Sequence, residues 1–243
     1  TAQFLASSHD PEPHDFAARY DPLVARRASR EPLPYITGRR DFWDMTFEVS
    51  PAVLIPRPET ELIVEAALEL FPSTTEPLTF VDACTGSGIV AIALARERPN
   101  ARVMATDISP TAIAVALRNG TRLGGRVQFI CGDLLDPITE PVDLITCNPP
   151  YVAEVSRPGL QPEVRDHEPP IALFGGGDGL RLVARTVHAA PGRLRRGGYL
   201  IFEFGFGQDV EIEALVNDHP DFELIGLRRD LQGIARTAVA RRR

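Results

Sequence analysis

The sequence predicts an α/β protein built on a doubly wound, mostly parallel sheet of seven strands. Short apolar segments alternate with amphipathic helical segments, which is the pattern of a parallel sheet whose two faces are both covered by helices. The last two apolar segments are separated only by residues 231–233, so an antiparallel hairpin is expected at the C-terminal end. The expected strands are residues 78–83, 101–107, 126–133, 142–148, 197–205, 222–230 and 235–242.

Helices are expected between the strands, where apolar residues recur at helical spacing. Residues 88–98 follow the first strand, and residues 109–124 follow the second. Ser109 is a suitable N-cap for the latter helix, and Pro110 is suited to its first turn. Residues 57–71 begin with proline and acidic residues and continue with an apolar stripe, which predicts a further helix before the sheet.

The first part of the chain is divided into an arm and a connector. Residues 1–40 are polar and are expected to form a short helical N-terminal arm, whose helix lies in residues 15–30 and is broken at Pro22. Residues 41–55 alternate imperfectly between apolar and polar side chains, which predicts a β-hairpin connector. Residues 56–243 then form the main domain.

Composition and charge exclude several functional classes. The chain has 243 residues and a formal net charge of −7, which does not favour binding to the phosphates of a nucleic acid. Cys84, Cys131 and Cys147 lack the spacing of a zinc site or a disulfide framework, and the histidines lack metal-ligand spacing. The sequence contains neither a membrane-spanning apolar segment nor a signal-peptide pattern. A soluble, cytoplasmic protein without a bound metal is therefore expected.

A glycine-containing loop follows the first strand and opens the next helix. The loop comprises Cys84, Thr85, Gly86, Ser87 and Gly88. Its glycines permit a tight turn, and the helix N-terminus presents unpaired N–H groups, as in nucleotide-binding loops. An ordinary strand-to-helix connection has a similar composition, so the loop alone does not decide between the two interpretations.

Acidic residues at the ends of the next two strands favour a nucleoside site. Asp107 lies 19 residues after Gly88, where a carboxylate can accept hydrogen bonds from both ribose hydroxyls, although it could also cap the following helix. Asp133 could accept a hydrogen bond from an adenine amine, and Leu134 could cover the ring. No Walker lysine follows the glycines, and Ala91 replaces the third glycine of a dinucleotide motif, so a ligand with little phosphate fits best. S-adenosyl-L-methionine is the predicted cofactor.

The fourth strand ends in Asn148, Pro149, Pro150 and Tyr151, which are predicted to hold a planar amino group. The prolines stiffen the turn and remove N–H donors, so the Asn148 side-chain oxygen and the Pro149 carbonyl can accept both hydrogens of an –NH₂ group. Tyr151 can pack on the face of that group. Fixing the hydrogens aims the developing nitrogen lone pair at an electrophilic methyl group, without a strong base, a metal or a covalent nucleophile. The alternative is a rigid turn with a core aromatic side chain.

The segment EPLPYITGRRDFWDMTFEVSPAVLIPRPETELIVE, residues 31–65, resembles the signature of the HemK/PrmC protein-(glutamine-N5) methyltransferases. Residues 166–180, 197–205 and 230–242 are also similar to segments of that family, and the resemblance covers about residues 16–243. It implies a class I, Rossmann-like methyltransferase fold. It also implies S-adenosyl-L-methionine as the methyl donor and S-adenosyl-L-homocysteine as the product.

The same resemblance implies a substrate and a set of site residues. Members of the family methylate the Gly-Gly-Gln glutamine of a peptide-chain release factor, which is then the expected protein partner. Residues 148–151 would hold the glutamine amide. The donor pocket would be lined by residues 84–88, Asp107, Leu134 and Asn148. A monomer is expected, with neither stable binding to nucleic acid nor contact with a membrane.

Two features differ from the family pattern. Only 34 residues precede Tyr35, whereas members usually carry a longer helical N-terminal domain, so a reduced substrate-recognition domain is expected. Cys84 stands where glycine is usual, which is tolerable if its φ is negative. Arg57, Glu59 and His167 lie in the matched segments without an assigned step. Two alternatives remain open, namely methylation of an exocyclic base amine of the adenine-N6 type and cofactor binding without turnover.

Overall fold

The computed structural model describes residues 14–243 of the chain. Helix α1 (Phe16–Ala28) and the short helix α2 (Leu33–Thr37) lead into an antiparallel hairpin of β1 (Arg39–Phe42) and β2 (Met45–Glu48). The helix and the hairpin expected from the sequence are both present. The remainder of the expected N-terminal arm, residues 1–13, lies outside the described residues.

Pro22 does not break the first helix, so that expectation was wrong. Helix α1 continues through Pro22 for its full 13 residues. A proline in a helix interior removes one backbone hydrogen bond and leaves a carbonyl oxygen without its helical donor. Because α1 has no buried residue, water can satisfy that carbonyl, and the cost of the proline is reduced.

The main element is a seven-stranded sheet. Its strands are β3 (Thr79–Ala83), β4 (Arg102–Asp107), β5 (Val127–Cys131), β6 (Val142–Cys147), β7 (Leu194–Glu203), β8 (Phe222–Arg229) and β9 (Ala235–Arg242). The strand order is β5-β4-β3-β6-β7-β9-β8, with β3 to β7 parallel and β9 antiparallel to both of its neighbours. The predicted α/β fold with a C-terminal antiparallel hairpin is confirmed.

Helices cover both faces of this sheet. They are α3 (Glu61–Leu70), α4 (Ile89–Glu97), α5 (Pro110–Leu123), α6 (Pro162–His167), α7 (Pro170–Leu173), α8 (Arg181–Ala189) and α9 (Asp209–Asn217). Three 3₁₀ turns, Pro58–Thr60, Glu154–Gly159 and Ala190–Gly192, complete the described helical segments. No helix within residues 14–243 is long and apolar enough to cross a lipid bilayer.

The core consists of two layers, because successive strand residues point to opposite faces. Phe80 and Leu144 pack with α3 and α4 on one face. The next residues along the same strands, Val81 and Ile145, pack with α8 and α9 on the other face. Every residue of β3 is buried, including the polar Thr79 and Asp82, so this central strand does not alternate between buried and exposed positions.

The strand order places a ligand-binding edge in the middle of the sheet. The chain runs from β3 outward through β4 to β5 and then returns to β6, which pairs with the other side of β3. The two halves of the sheet therefore diverge between β3 and β6. Open α/β sheets bind ligands at such a switch point, beyond the carboxyl ends of the strands.

Candidate active site

A cavity of about 490 Å³ lies beyond the carboxyl ends of β3, β4, β5 and β6. One wall is formed by residues 52–54, 56 and 57, at the end of the connector and just after it, and the opposite wall by residues 170–172 and 174 after β6. Predicted site residues that line the cavity are Cys84, Thr85, Gly86, Ser87, Asp107, Asp133, Leu134, Asn148 and Pro150. Gly88, Pro149 and Tyr151 are not among the lining residues. The structure thus brings most of the residues predicted to bind the methyl donor together with Asn148. Asn148 is the first residue of the turn Asn148–Tyr151, which we call the amide turn.

The glycine loop is held by backbone hydrogen bonds to the neighbouring strand. The Thr85 N–H donates to the Thr106 carbonyl at 3.0 Å, and the Gly88 N–H donates to the Thr85 carbonyl at 2.8 Å. Gly88 has a φ of 86°, and a Cβ at this position would lie 3.0 Å from Ile92 Cδ1. Gly88 therefore allows close packing of α4 on the sheet, while the residues before it form the cavity wall.

Cys84 adopts a left-handed backbone conformation, with a φ of 57°. The condition under which cysteine would easily replace the usual glycine, a negative φ, is therefore not met. A non-glycine residue in this region is strained by about 1–3 kcal/mol, which the surrounding loop must offset. The neighbouring Cys147 thiol and burial together raise the pKa of the Cys84 thiol well above its usual value. Cys84 is consequently a neutral thiol in the cavity wall.

Asp107 connects the glycine loop to the start of α5. Its Oδ2 accepts a hydrogen bond from the Gly86 N–H at 2.9 Å, and its Oδ1 accepts one from the Ser109 N–H at 2.9 Å. Burial raises the pKa of the Asp107 carboxyl, and these two N–H donors lower it in part. Ser109 caps α5 through its side chain, which accepts from the Ala112 N–H. Each Asp107 oxygen retains a lone pair that can accept a further donor from the cavity.

The third strand end places Asp133 and Leu134 at the rim of the cavity. Asp133 forms an ion pair with Arg185 at 2.8 Å, and both side chains are partly exposed. Leu134 is 6% exposed and has a φ of 46°. Its carbonyl accepts a hydrogen bond from the Thr106 hydroxyl at 2.6 Å, which fixes this strained turn. The adenine contacts predicted for the two residues stay predictions.

The amide of Asn148 has a defined orientation. Its Nδ2 donates to Thr60 Oγ1 and to Glu203 Oε2, both at 3.0 Å. Within residues 14–243 no donor is bonded to its Oδ1. Asn148 lines the cavity, so Oδ1 is the acceptor that it presents there.

Tyr151 lies behind the cavity wall and is anchored by its hydroxyl. That hydroxyl donates to Glu203 Oε1 at 2.8 Å. Burial, followed by the Glu203 charge, raises the pKa of Tyr151 well above its usual value. The predicted packing of this ring on a substrate amide stays a prediction, because the ring is not part of the cavity lining.

A glycine-rich segment packs on the backbone of the amide turn. A Cβ on Gly175 would lie 2.4 Å from the Pro150 carbonyl oxygen, and a Cβ on Gly179 would lie 2.1 Å from the Tyr151 carbonyl oxygen. Both distances are far shorter than a van der Waals contact. Only glycine therefore fits at positions 175 and 179.

Sequence reasoning missed two buried carboxylates near the site. Glu203 is 1% exposed and accepts hydrogen bonds from Thr60, Asn148 and Tyr151. Asp82 is 2% exposed and accepts from the hydroxyls of Thr85 and Thr146 at 2.7 and 2.8 Å. Each directly follows a short apolar run, residues 80–81 in β3 and residues 199–202 in β7. A charged residue in a core strand is costly unless it is paired, and that pattern was the available signal.

Burial raises the pKa of both carboxyls. The pKa of Asp82 is raised to about 6, mainly by burial, although its hydroxyl donors counteract the shift. Burial also raises the pKa of Glu203, against the effect of the Thr60 and Tyr151 donors.

A further ion pair joins the two walls of the cavity. Glu168 accepts from the Ile55 N–H at 3.1 Å and from the Arg57 guanidinium. The Glu168 side chain is 1% exposed, whereas that of Arg57 is 30% exposed and lines the cavity. Arg57 thus has a defined position, and this contact fixes the segment after β6 against the connector.

The fold and the cavity define the class of the protein, which is a class I methyltransferase. A family model described as "Methyltransferase small domain" matches residues 62–160, and one described as "PrmC N-terminal domain" matches residues 1–38. The chain belongs to the release factor glutamine methyltransferase family. It is 42% identical over 231 residues to the Release factor glutamine methyltransferase of Koribacter versatilis, a match that covers 94% of this chain and 81% of that one.

Two further comparisons agree with this assignment. The Release factor glutamine methyltransferase of Cereibacter sphaeroides is 42% identical over 240 residues, which are 96% of this chain and 82% of that one. Among solved structures, a methyltransferase from Pyrococcus furiosus has a TM-score of 0.60 at 15% identity, covering 93% of this chain and 98% of that chain. This last similarity concerns the fold. The family resemblance predicted from the sequence is confirmed.

Proposed function

We propose that the protein transfers a methyl group from S-adenosyl-L-methionine to the side-chain amide nitrogen (N5) of a glutamine in a peptide-chain release factor. The target is the glutamine of the Gly-Gly-Gln sequence, and S-adenosyl-L-homocysteine is the second product. The observation that carries the proposal is the free Oδ1 of Asn148, which faces the same cavity as the glycine loop and Asp107. The names of relatives that are 42% identical support the choice of substrate.

The residues of the cavity fit the methyl donor. The cavity volume of about 490 Å³ lies within the range of small-molecule and cofactor pockets. Asp107 supplies carboxylate acceptors for ribose hydroxyls, and Leu134 supplies an apolar wall beside the strand end. When bound, S-adenosyl-L-methionine supplies an electrophilic methyl group on a sulfonium. Asp107 and Asn148 line the same cavity, which supports a methyl-donor site and a substrate site in one space.

The amide turn supplies the acceptor side of the reaction. Asn148 Oδ1 accepts one N–H of the substrate amide, and we propose that the Pro149 carbonyl accepts the other. The nitrogen is thereby held in one plane, with its developing lone pair directed at the donor side of the cavity. The oxygen dipoles also stabilise the positive charge that grows on this nitrogen as the new bond forms. The proton then leaves an acidic nitrogen, so the site requires no strong base.

Three segments of the chain have different proposed roles. We propose that residues 1–40 act as an arm that contacts the release factor, that residues 41–55 act as a connector, and that residues 56–243 act as the catalytic domain. The protein is proposed to act as a monomer in the cytoplasm, without stable binding to nucleic acid. The net charge of −7 supports a protein substrate over a nucleic acid.

The test is a labelled-methyl transfer assay with a purified release factor. A parallel reaction uses the same factor with its Gly-Gly-Gln glutamine changed to alanine. We expect label on the first factor and none on the second. Label on both factors would place the reaction at another residue. Label on an added nucleic acid instead would support the exocyclic-amine alternative and overturn the proposal.

A further inference from the structure

Glu203 is the buried centre of a hydrogen-bond cluster behind the amide turn. Its Oε2 accepts from the Thr60 hydroxyl at 2.7 Å and from Asn148 Nδ2 at 3.0 Å, while its Oε1 accepts from the Tyr151 hydroxyl at 2.8 Å. Its residue exposure is 1%. The position of Glu203 at the last residue of β7 brings the carboxylate beside the end of β6, because the two strands are adjacent and parallel.

The direction of every bond in this cluster follows from the carboxylate. Both Glu203 oxygens act as acceptors in this cluster, whereas a hydroxyl can donate or accept, and an amide presents a donor on one side and an acceptor on the other. Thr60 gives its proton to Glu203 and can therefore only accept from Asn148, as observed. Both partners of the Asn148 amide thus require the Nδ2 side, and the reversed orientation would set Oδ1 against two acceptors.

We propose that Glu203 is a positioning residue, which fixes the orientation of the Asn148 amide so that Oδ1 is presented to the substrate amide. This inference rests on the proposed function, since it concerns how the acceptor atom of that site is set. Glu203 does not touch the substrate. It acts through Asn148, and through Tyr151 it holds the other end of the same turn.

The variant Glu203→Gln tests the direction of the hydrogen bonds in the cluster, because it adds a donor at position 203 with little change in side-chain shape. A glutamine at this position can donate, so it permits a reversed Asn148 amide that presents Nδ2 to the substrate. Two donors then face each other, and we expect kcat to fall by about 100-fold, the size of effect seen when one directed hydrogen bond is removed from an active site. The Kd for S-adenosyl-L-methionine should change by less than about threefold, because the donor-side contacts are intact.

A second substitution should restore the hydrogen-bond acceptor that faces the substrate amide. In the double variant Glu203→Gln with Asn148→Asp, the carboxylate at position 148 accepts from the new amide at position 203 through one oxygen and presents the other oxygen to the substrate. We expect kcat at least about tenfold above that of Glu203→Gln alone, since an acceptor again faces the amide. A merely structural role for Glu203 would give a double variant no better than the single one, which would overturn the proposal. A kcat for Glu203→Gln within about threefold of wild type would do the same.

A measurement on the unmodified protein keeps the inference testable even if the variants do not fold. Nuclear magnetic resonance of the Asn148 side-chain NH₂ group, assigned through its couplings to the Asn148 backbone in isotope-labelled wild-type protein, reports whether that group is hydrogen-bonded within the protein. We expect these protons to be protected from solvent exchange before and after a Gly-Gly-Gln peptide is added. Rapid exchange in the free protein would show the opposite orientation and would overturn the proposal. If the wild-type protein methylates no release factor, the proposed function fails, while this measurement still decides the orientation of Asn148.

Discussion

We propose that single side chains at the edge of the sheet serve different ligands, Asn148 the substrate amide and Asp107 the methyl donor. Asn148 presents an oxygen to the cavity, and Asp107 presents carboxylate lone pairs while it holds the glycine loop through the Gly86 N–H. The two residues stand at the ends of different strands. Substitutions at these positions should therefore have separable effects on turnover and on binding of the methyl donor.

Replacement of the acceptor should remove turnover. We expect Asn148→Ala to lower kcat by at least about 100-fold, because the directed acceptor for the substrate amide is lost. Binding of S-adenosyl-L-methionine, measured by calorimetry, should stay within about tenfold of wild type, since most donor contacts involve other residues. Near-full activity of this variant would refute the role assigned to Asn148.

Replacement of Asp107 should act on binding first. We expect Asp107→Ala to weaken the Kd for S-adenosyl-L-methionine by at least about tenfold, because hydrogen bonds to charged groups contribute roughly 1.5–3 kcal/mol each. Part of the loss comes from the Gly86 and Ser109 N–H groups, which lose their common acceptor. Isothermal titration provides the measurement, and an unchanged affinity would locate the donor pocket elsewhere.

Asp82 should make the stability of the protein depend on pH. Its pKa is raised from 3.8 to about 6 in the folded state, so the folded protein binds the proton more tightly than the unfolded chain. The stability contributed by this proton is present below about pH 4 and is lost as pH rises through about 6, on the order of 3 kcal/mol. The check is urea unfolding of wild type and Asp82→Asn between pH 4 and pH 8. The free energy of unfolding of wild type relative to the variant should fall over that range, and a constant difference would contradict the raised pKa.

At the level of elements, the amide turn depends on the glycine segment that covers it. Gly179 has a φ of 83°, and its Cβ would collide with the Tyr151 carbonyl. Gly177, two positions earlier, has open space around its Cβ position and no positive φ. The two glycines therefore provide a matched pair of positions in one segment.

We expect Gly179→Ala to lower activity by about tenfold or more, because the turn must move and small displacements of positioned groups are costly in catalysis. Gly177→Ala should leave kcat and the melting temperature near wild type. Steady-state kinetics gives kcat for the two variants, and thermal unfolding gives their melting temperatures. Equal behaviour of the two variants would show that the close contact with Tyr151 does not position the turn.

The alternation of strands and helices was sufficient to predict the elements of the sheet and the direction of its terminal hairpin. The spacing of residues could not predict the positive φ of Cys84, because that backbone conformation is imposed by the surrounding loop. The same limit applies to Tyr151, whose hydroxyl partner Glu203 is distant in sequence. The helix break expected at Pro22 was based on helix propensity alone. Because α1 is exposed, the free-energy cost of a proline in its interior is reduced. The helices α6 to α9 were not among the expected ones. Helices α6 and α7 are short and begin at a proline, whereas the apolar residues of α8 at helical spacing were an available signal.

For the whole molecule, the sheet order explains why distant residues form one site. β3 lies between β4 and β6, so the glycine loop, Asp107 and Asn148 meet at a single edge although 64 positions separate Cys84 from Asn148. The N-terminal helix is joined to the segment after β6 by ion pairs of Arg27 and Arg30 with Glu163. The segment after β6 thus connects the wall of the cavity to the N-terminal part of the chain.

The most direct test is to locate the methyl group on the release factor after reaction with the protein and S-adenosyl-L-methionine. Mass spectrometry of the Gly-Gly-Gln fragment should show one added methyl group on the glutamine side-chain amide nitrogen. The Asn148→Ala variant, folded and able to bind the donor, should leave the fragment unmodified. A methyl group on another residue, or equal modification by wild type and Asn148→Ala, would contradict the account.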